Sequence, residues 1–454
     1  MVFTNGTIAR RERFIQGCRG LNYEFSMSCF PEAGGRYLDN EKWDGYCNVY
    51  VKEERMKRVL SGVLLLILVL GILVTLGCSQ EKEVKIGFVG PMTGDYANYG
   101  ELMSQAVTIA VEEWNANGGI GGVPVALVIE DSEGKADKAN AAIEKLASVD
   151  RIFGLVGAVF SSSSLAIAPR ANQEKIVMIS PSSTHADLTG LGEYIFRDVA
   201  SDALQAQVFA HYVYKELGLR RIAILFTKND YSQGLAEGFQ STFESLGGQI
   251  VAMESGQQGD KDFKTQLTTI KNENPDGLFL PNYVAEIAQM LEQAAQLGIE
   301  AQILSADGFS NPEIFDLAGD YVDGVIYSGP EIESEGGSAG TGTEAFTAKY
   351  TEKYGVGPDS FSLNSYDGAN IIFAAIQKAY EAASDADKES LNLNRDLIRQ
   401  TVANTQGYRG VSGEITFDAI GDVVKNQGIL TVRDGAYSQL GVYRVENDNL
   451  LKVD

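Results

Sequence analysis

At 454 residues, 44% hydrophobic and 22% charged, the chain is long enough for two domains of ordinary size. Its net charge is −24; the first 78 residues hold 10 basic and 8 acidic side chains, leaving 27 against 53 and a net −26 for the remainder. So negative a surface repels phosphate backbones and anionic lipid, which excludes nucleic acid as a partner.

Residues 1–55 form a polar leader containing Cys18, Cys29 and Cys47, whose spacings match no metal-ligand pattern and which has no His beside them. No metal or cofactor is expected. Met56 would start a signal segment of its own, so the leader reads as an over-long start. Lys57 and Arg58, the apolar run from Val59 to Leu76 and then Gly77-Cys78 have the grammar of a secretory signal over 56–78. Cys78 resembles the acceptor of a bacterial lipoprotein signal, although Thr75 stands where Leu is usual. The alternative is an uncleaved anchor helix, since about 18 apolar residues just span a bilayer. Either reading puts everything after Cys78 outside the cytoplasm, and no further cysteine follows to form a disulfide.

From Val84 onward, short β-rich runs alternate with amphipathic helical stretches. Val84–Gly90, Val123–Glu130, Ile152–Val156 and Ile176–Ile179 read as strands, with helices over Tyr99–Asn117 and from about Ala136 and Ser162. This is βαβ repetition, hence a parallel sheet flanked by helices. The pattern restarts with strands at Ile222–Phe226, Gln249–Met253, Gly277–Leu280 and Gln302–Leu304. Helices at about Gln233–Leu246, Lys261–Lys271 and Ala285–Leu297 separate them. After a low-complexity loop at Glu331–Gly342, helices are expected over Thr343–Tyr354, Tyr366–Ala383 and Arg395–Ala403. Strand-like pieces at Gly413–Phe417, Ile429–Val432 and Gly441–Val445 close the chain.

In doubly wound units ligands sit beyond the C-terminal strand ends. Ser161–Ser164 follows one such end and opens a helix, where hydroxyls and free N–H groups make an anion site; plain N-capping explains one serine equally well. A second hydroxyl cluster, Ser182–Thr184, follows the next strand, and together the two could clamp a carboxylate. Asp307 follows a strand end in the second unit and would suit a ligand ammonium. An Asp-Gly turn needs no function, however, and on the residues alone that reading leads. Tyr99, Tyr231, Tyr283 and Phe361 stand beside loops and could wall a small ligand or simply pack. Catalysis finds little support: the chain has two histidines, no G-x-S-x-G surrounds Ser161, and Ser161, His185 and Asp202 take no triad roles from their order. The NGGIGG run at Asn117–Gly122 lacks the ending of a phosphate loop and reads as a helix-terminating turn.

The segments VKIGFVGPMTGDYANYG, NANGGIGG, FSSSSLAIAP, VMISPSSTHADLT, RIAILFTKNDYSQGLAEGF, KDFKTQLTTIKNENPDGLFL and SYDGANII resemble the extracytoplasmic Leu/Ile/Val-binding protein family, the solute receptors of branched-chain amino-acid ABC importers. The likeness runs from about Val84 to the C-terminus, in the family's order. It implies the α/β type I periplasmic binding fold: two Rossmann-like lobes with parallel sheets, a three-strand hinge and a ligand between the lobes. The lobes would comprise 79–201 with 331–418, and 202–330 with 419–454.

The same resemblance implies that Ser161, the backbone of Ser182 and Thr184 hold a ligand α-carboxylate and that Asp307 meets the α-ammonium, where the Leu/Ile/Val binders carry Glu. Tyr231 and Tyr283 would lie near the amino group and cleft, Tyr99 and Phe361 around the side chain, and Asp202 on the hinge side. Phe160 replaces a residue that is often small, and the family's early disulfide is missing. A non-catalytic, monomeric lipoprotein is expected, delivering an amino acid to a branched-chain-type ABC permease. The alternatives are a receptor for an amide, urea or aromatic acid, and the ectodomain of a membrane-anchored sensor.

Overall fold

The computed structural model describes residues 82–331, 342–423 and 425–453, with Met56 and Ser61. The chain divides into Met1–Glu81 and Lys82–Asp454; the leader, almost all of the signal segment, Cys78 and most of the low-complexity loop lie outside the described residues. Among the described residues, no helix is long and apolar enough to cross a membrane.

Lys82–Asp454 is built on two sheets. The first has five parallel strands: β1 (Val84–Gly90), β2 (Val125–Asp131), β3 (Gly154–Gly157), β4 (Val177–Ser180) and β5 (Ile195–Arg197), in the order β2-β1-β3-β4-β5. Alternate side chains of these strands enter two separate cores. Ile86, Phe88, Val156 and Ile179 join one, and Val89, Leu155 and Met178 the other. That is why the strands read as continuous apolar runs. The helices Ala136–Lys145 and Ser161–Gln173 cover one face. Ala97–Ala116 and the late helix Ser360–Ala382 cover the other, joined where Trp114 Nε1 donates to Asn370 Oδ1 at 2.8 Å and the indole rests on Phe373.

The second sheet begins with β6 (Arg221–Thr227), β7 (Gln249–Gly256), β8 (Gly277–Leu280), β9 (Gln302–Ser305) and β10 (Ile326–Gly329), all parallel. A separate two-stranded ribbon, β11 (Tyr408–Gly410) with β12 (Gly413–Ile415), intervenes. The chain then returns as antiparallel β13 (Gln427–Arg433), β14 (Ala436–Glu446) and β15 (Asn449–Lys452), giving the order β15-β14-β13-β10-β9-β8-β6-β7. In each sheet the order reverses around the first strand, at β1/β3 and β6/β8, which opens a crevice at those strand ends.

The chain passes between the sheets three times: from β5 into the helix Asp202–Lys215, from β10 into Thr343–Tyr354, and from β12 into β13. Strands β5, β10, β11 and β15 were not anticipated. The helix expected from Tyr366 starts at Ser360. Its SFSLNS opening has low helix propensity, but Asp359 caps it by accepting from Ser362 N–H at 2.7 Å, and Phe361, Ser362 and Ser365 are buried. The NGGIGG turn ends its helix as expected, with Gly118, Gly119, Gly121 and Gly122 all at positive φ.

One buried ion pair ties two crossovers together. The Arg197 guanidinium is 1% exposed and meets Asp422 through Nε–Oδ1 at 2.7 Å and Nη2–Oδ2 at 2.5 Å, while Nη1 donates to the carbonyls of Thr184 (3.0 Å) and His185 (2.6 Å). Four of its five N–H donors are thereby used, two of them in a fixed fork on one carboxylate. Removing one partner of such a pair strands the other charge. Asp422→Ala should therefore lower unfolding free energy by about 3 to 5 kcal/mol, measured from urea midpoints; a loss under about 1 kcal/mol would mean that the fork bears no such strain.

Candidate functional site

The crevice is lined by residues that the strand ends place there. Phe160 follows β3 as the N-cap of helix Ser161–Gln173, with extended backbone and no side-chain cap. The serines therefore do not cap their helix in the ordinary way, and the N–H groups of its first turn have no side-chain partner. Ser164 and Ser183 are structural instead: their hydroxyls are 2.6 Å apart and both bond the Ala158 carbonyl. Ser182 Oγ donates to the Val159 carbonyl at 2.7 Å. Thr184 is fully buried. Its hydroxyl faces the Asp202 carboxylate, yet neither that hydroxyl nor either Asp202 oxygen makes a hydrogen bond of ordinary geometry.

From the second sheet come Tyr231, Tyr283 and Asp307. Tyr231 Oη donates to Asp307 Oδ1 at 2.8 Å and accepts from Gly308 N–H at 2.8 Å. Tyr99, on the opposite lobe, donates to the Gly308 carbonyl at 2.6 Å and accepts from Val284 N–H at 3.2 Å. Position 308 must be glycine, because a Cβ there would lie 2.4 Å from the Asn282 carbonyl oxygen and 2.8 Å from Tyr231 Oη.

Asp307 is 2% exposed. Burial pushes its carboxyl up to about 6, against hydrogen bonds from Tyr231 and Gln205 that favour the charged form. Burial also raises Asp202, and the negative charge of Asp307 adds to the effect. The phenols of Tyr99, Tyr231 and Tyr283 are raised by burial and stay neutral.

A void of about 20 Å³ lies among Tyr99, Val159, Phe160, Ser182, Tyr231, Tyr283, Asp307, Gly308 and Phe361. That is room for roughly one water. The remaining space is filled by rings: Phe160 stacks on Tyr283 with centroids 3.9 Å apart, and Tyr283 stacks on Tyr231 at 5.0 Å. The lobes are closed on one another at the rim as well. Asp230 N–H donates to Ser162 Oγ at 3.1 Å, Lys261 pairs with Asp95 at 2.5 Å, and Tyr96 donates to Glu286.

Of the expected ligand residues, Tyr99, Ser182, Tyr231, Tyr283, Asp307 and Phe361 line this void, whereas Ser161, Thr184 and Asp202 are buried but do not line it. Ser161, His185 and Asp202 form no hydrogen-bonded relay; His185 Nδ1 takes the N–H of Asp187 at 3.3 Å. Three contributors were missed. Tyr96 lies three residues before Tyr99, Glu286 three after Tyr283, and Gln205 three after Asp202, so helical spacing from each identified residue was the available signal.

The sequence model of the family described as "Periplasmic binding protein" matches residues 83–434. The chain belongs to that family. It is 29% identical to the leucine-, isoleucine-, valine-, threonine- and alanine-binding protein of Pseudomonas aeruginosa, over 75% of this chain and 87% of that one. It is 30% identical to a Leu/Ile/Val-binding protein of Rhizobium johnstonii, over 74% and 90%. Among solved structures it is similar to the branched-chain amino acid transporter substrate-binding protein of Streptococcus pneumoniae in complex with isoleucine. There the TM-score is 0.71 at 26% identity, covering 82% of this chain and all of that one. The fold is the type I periplasmic binding fold expected from the sequence.

The raised carboxyl of Asp307 has a measurable consequence. Unfolded, it titrates near 3.8; folded, it holds its proton to about 6, so stability is greatest below the lower value and falls as pH rises through the upper one. The gap corresponds to about 3 kcal/mol. Asp307→Asn should be more stable than the parent by about that much at pH 8 and nearly equal near pH 4, by urea denaturation. An equal difference at both pH values would show that Asp307 is not carrying a buried charge.

Proposed function

We propose that this protein is the lipid-anchored, extracytoplasmic solute receptor of an ABC importer. It binds a branched-chain or other hydrophobic amino acid between its lobes and presents it to a membrane permease. The observation that carries this reading is Asp307: a buried carboxylate at the junction of the lobes, bonded by Tyr231 and Gln205 but by no basic side chain, and bordering an aromatic-walled void. A ligand ammonium would supply the missing positive charge. The ligand carboxylate would meet the uncapped start of helix Ser161–Gln173, the backbone of Ser182 and the unpartnered Thr184 hydroxyl. Its side chain would displace the Phe160–Tyr283 stack and lie among Tyr99, Tyr283 and Phe361.

Carboxylate donors on one lobe and the ammonium site on the other make closure selective, because only a ligand with both groups stabilises the closed state. Relatives named for leucine, isoleucine and valine support the ligand class. On this reading the mature protein is a monomer that begins at lipid-modified Cys78.

Calorimetry with leucine tests the site. Asp307→Asn should weaken binding about a hundredfold or more, and Ser161→Ala with Thr184→Ala at least about tenfold. The deaminated analogue 4-methylpentanoate should fail to bind the parent protein. If the analogue binds as tightly as leucine, the ammonium assignment is wrong and the chain belongs with receptors for aromatic acids or amides.

A further inference from the structure

Asp307 also borders a second, larger chamber, of about 290 Å³, where the three crossovers converge. Val199 and Ala200 from the first crossover, Pro330 from the second and Lys425 to Gln427 from the third form its walls, and Asp307 borders both spaces. Two of its lining side chains are nearly inaccessible and incompletely bonded. Gln205, 3% exposed, turns its amide N–H toward Asp307 and leaves Oε1 without a partner. Gln427, 2% exposed, donates through Nε2 to the Asn426 carbonyl at 3.3 Å and also leaves Oε1 without a partner.

Buried acceptors left unbonded cost free energy that a hydrogen-bond donor in the chamber recovers. The charges point the same way. Among the described residues, three acids line the chamber, Asp307, Glu331 and Glu414, with one base, Lys425. That lysine is already opposed by Asp198 and Asp367 and bonded to Asn364 Oδ1 at 3.2 Å. An anion would meet the acid excess; a cation with several N–H groups would satisfy it.

We propose that this chamber is a second binding site, for a small organic cation of the protonated amine or guanidinium class, held by Asp307 and the side-chain carbonyls of Gln205 and Gln427. Because Asp307 borders both spaces, a cation here competes with any cationic group in the cleft for the same carboxylate. The site would make amino-acid capture responsive to small polyamine- or guanidine-type solutes outside the cell. The chamber's lining stands whatever solute the cleft takes, although a cationic group bound in the cleft would lower its occupancy.

The probe is methylguanidinium chloride, titrated calorimetrically into the purified full-length protein at constant ionic strength, with tetramethylammonium, which has no N–H donor, as control. Saturable one-to-one binding of methylguanidinium alone is expected. Gln427→Met should weaken it at least tenfold without altering leucine affinity; should that variant melt early, Asp307→Asn is read for the same loss of methylguanidinium binding. Saturating methylguanidinium should also weaken leucine binding to the parent. No saturable binding, an equal response to tetramethylammonium, or binding indifferent to these substitutions would each overturn the site. If methylguanidinium binds while leucine does not, the chamber stands and the amino-acid reading of the cleft fails.

Discussion

A carboxylate withdrawn from water with no base beside it costs several kcal/mol, and the geometry around Asp307 exists to hold one there. Tyr231 gives it a hydrogen bond at 2.8 Å, and the N–H of Gly308 orients that phenol in turn. The glycine is required because the Asn282 carbonyl leaves no space for a Cβ. Asn282 is itself fixed by accepting from Thr227 N–H at 2.7 Å and donating to the Leu225 carbonyl at 2.8 Å. The strand ends of β6, β8 and β9 are thus locked into one polar frame whose centre is a single acid.

The opposite lobe reaches that frame through Tyr99, whose hydroxyl bonds the Gly308 carbonyl, and through Phe160 against Tyr283. These contacts close the cleft with little space left inside it. On the amino-acid reading, ligand entry exchanges ring-on-ring contact for ring-on-aliphatic contact and neutralises Asp307, so electrostatics rather than added apolar burial dominates the net gain. The Arg197–Asp422 fork keeps the geometry at the crossovers constant while also bonding the Thr184 carbonyl. The hinge and the hydroxyl cluster therefore share one rigid anchor.

Most of the fold was legible because apolar strand runs bounded by turn residues, and helices of ordinary length, carry a strong local pattern. Val84–Gly90, Gly277–Leu280, Thr343–Tyr354 and Arg395–Ala403 fall where their residues say they should. The strand-end rule led to Asp307 and Tyr283. Legibility failed where tertiary contacts outweigh local pattern: β5 and β10 are short pieces held by pairing with β4 and with β9 and β13, and Ser360–Ser365 is helical only because it is capped and buried. At the site, Ser161–Ser164 could be read as caps or as an anion site, and only the helix start at Phe160, with no side-chain cap, separates those roles. The fork from Arg197 to Asp422 spans 225 residues and has no local signature at all.

The central claim is that a ligand ammonium pairs with Asp307 in its charged form, and proton release on binding tests it most directly. Near pH 6 about half of the empty protein should hold a proton on Asp307. Leucine titrated at pH 6 into buffers of different ionisation enthalpy should then release about half a proton per ligand, falling to none at pH 8. Binding heats that are independent of buffer at pH 6, or that report proton uptake there, would contradict the account.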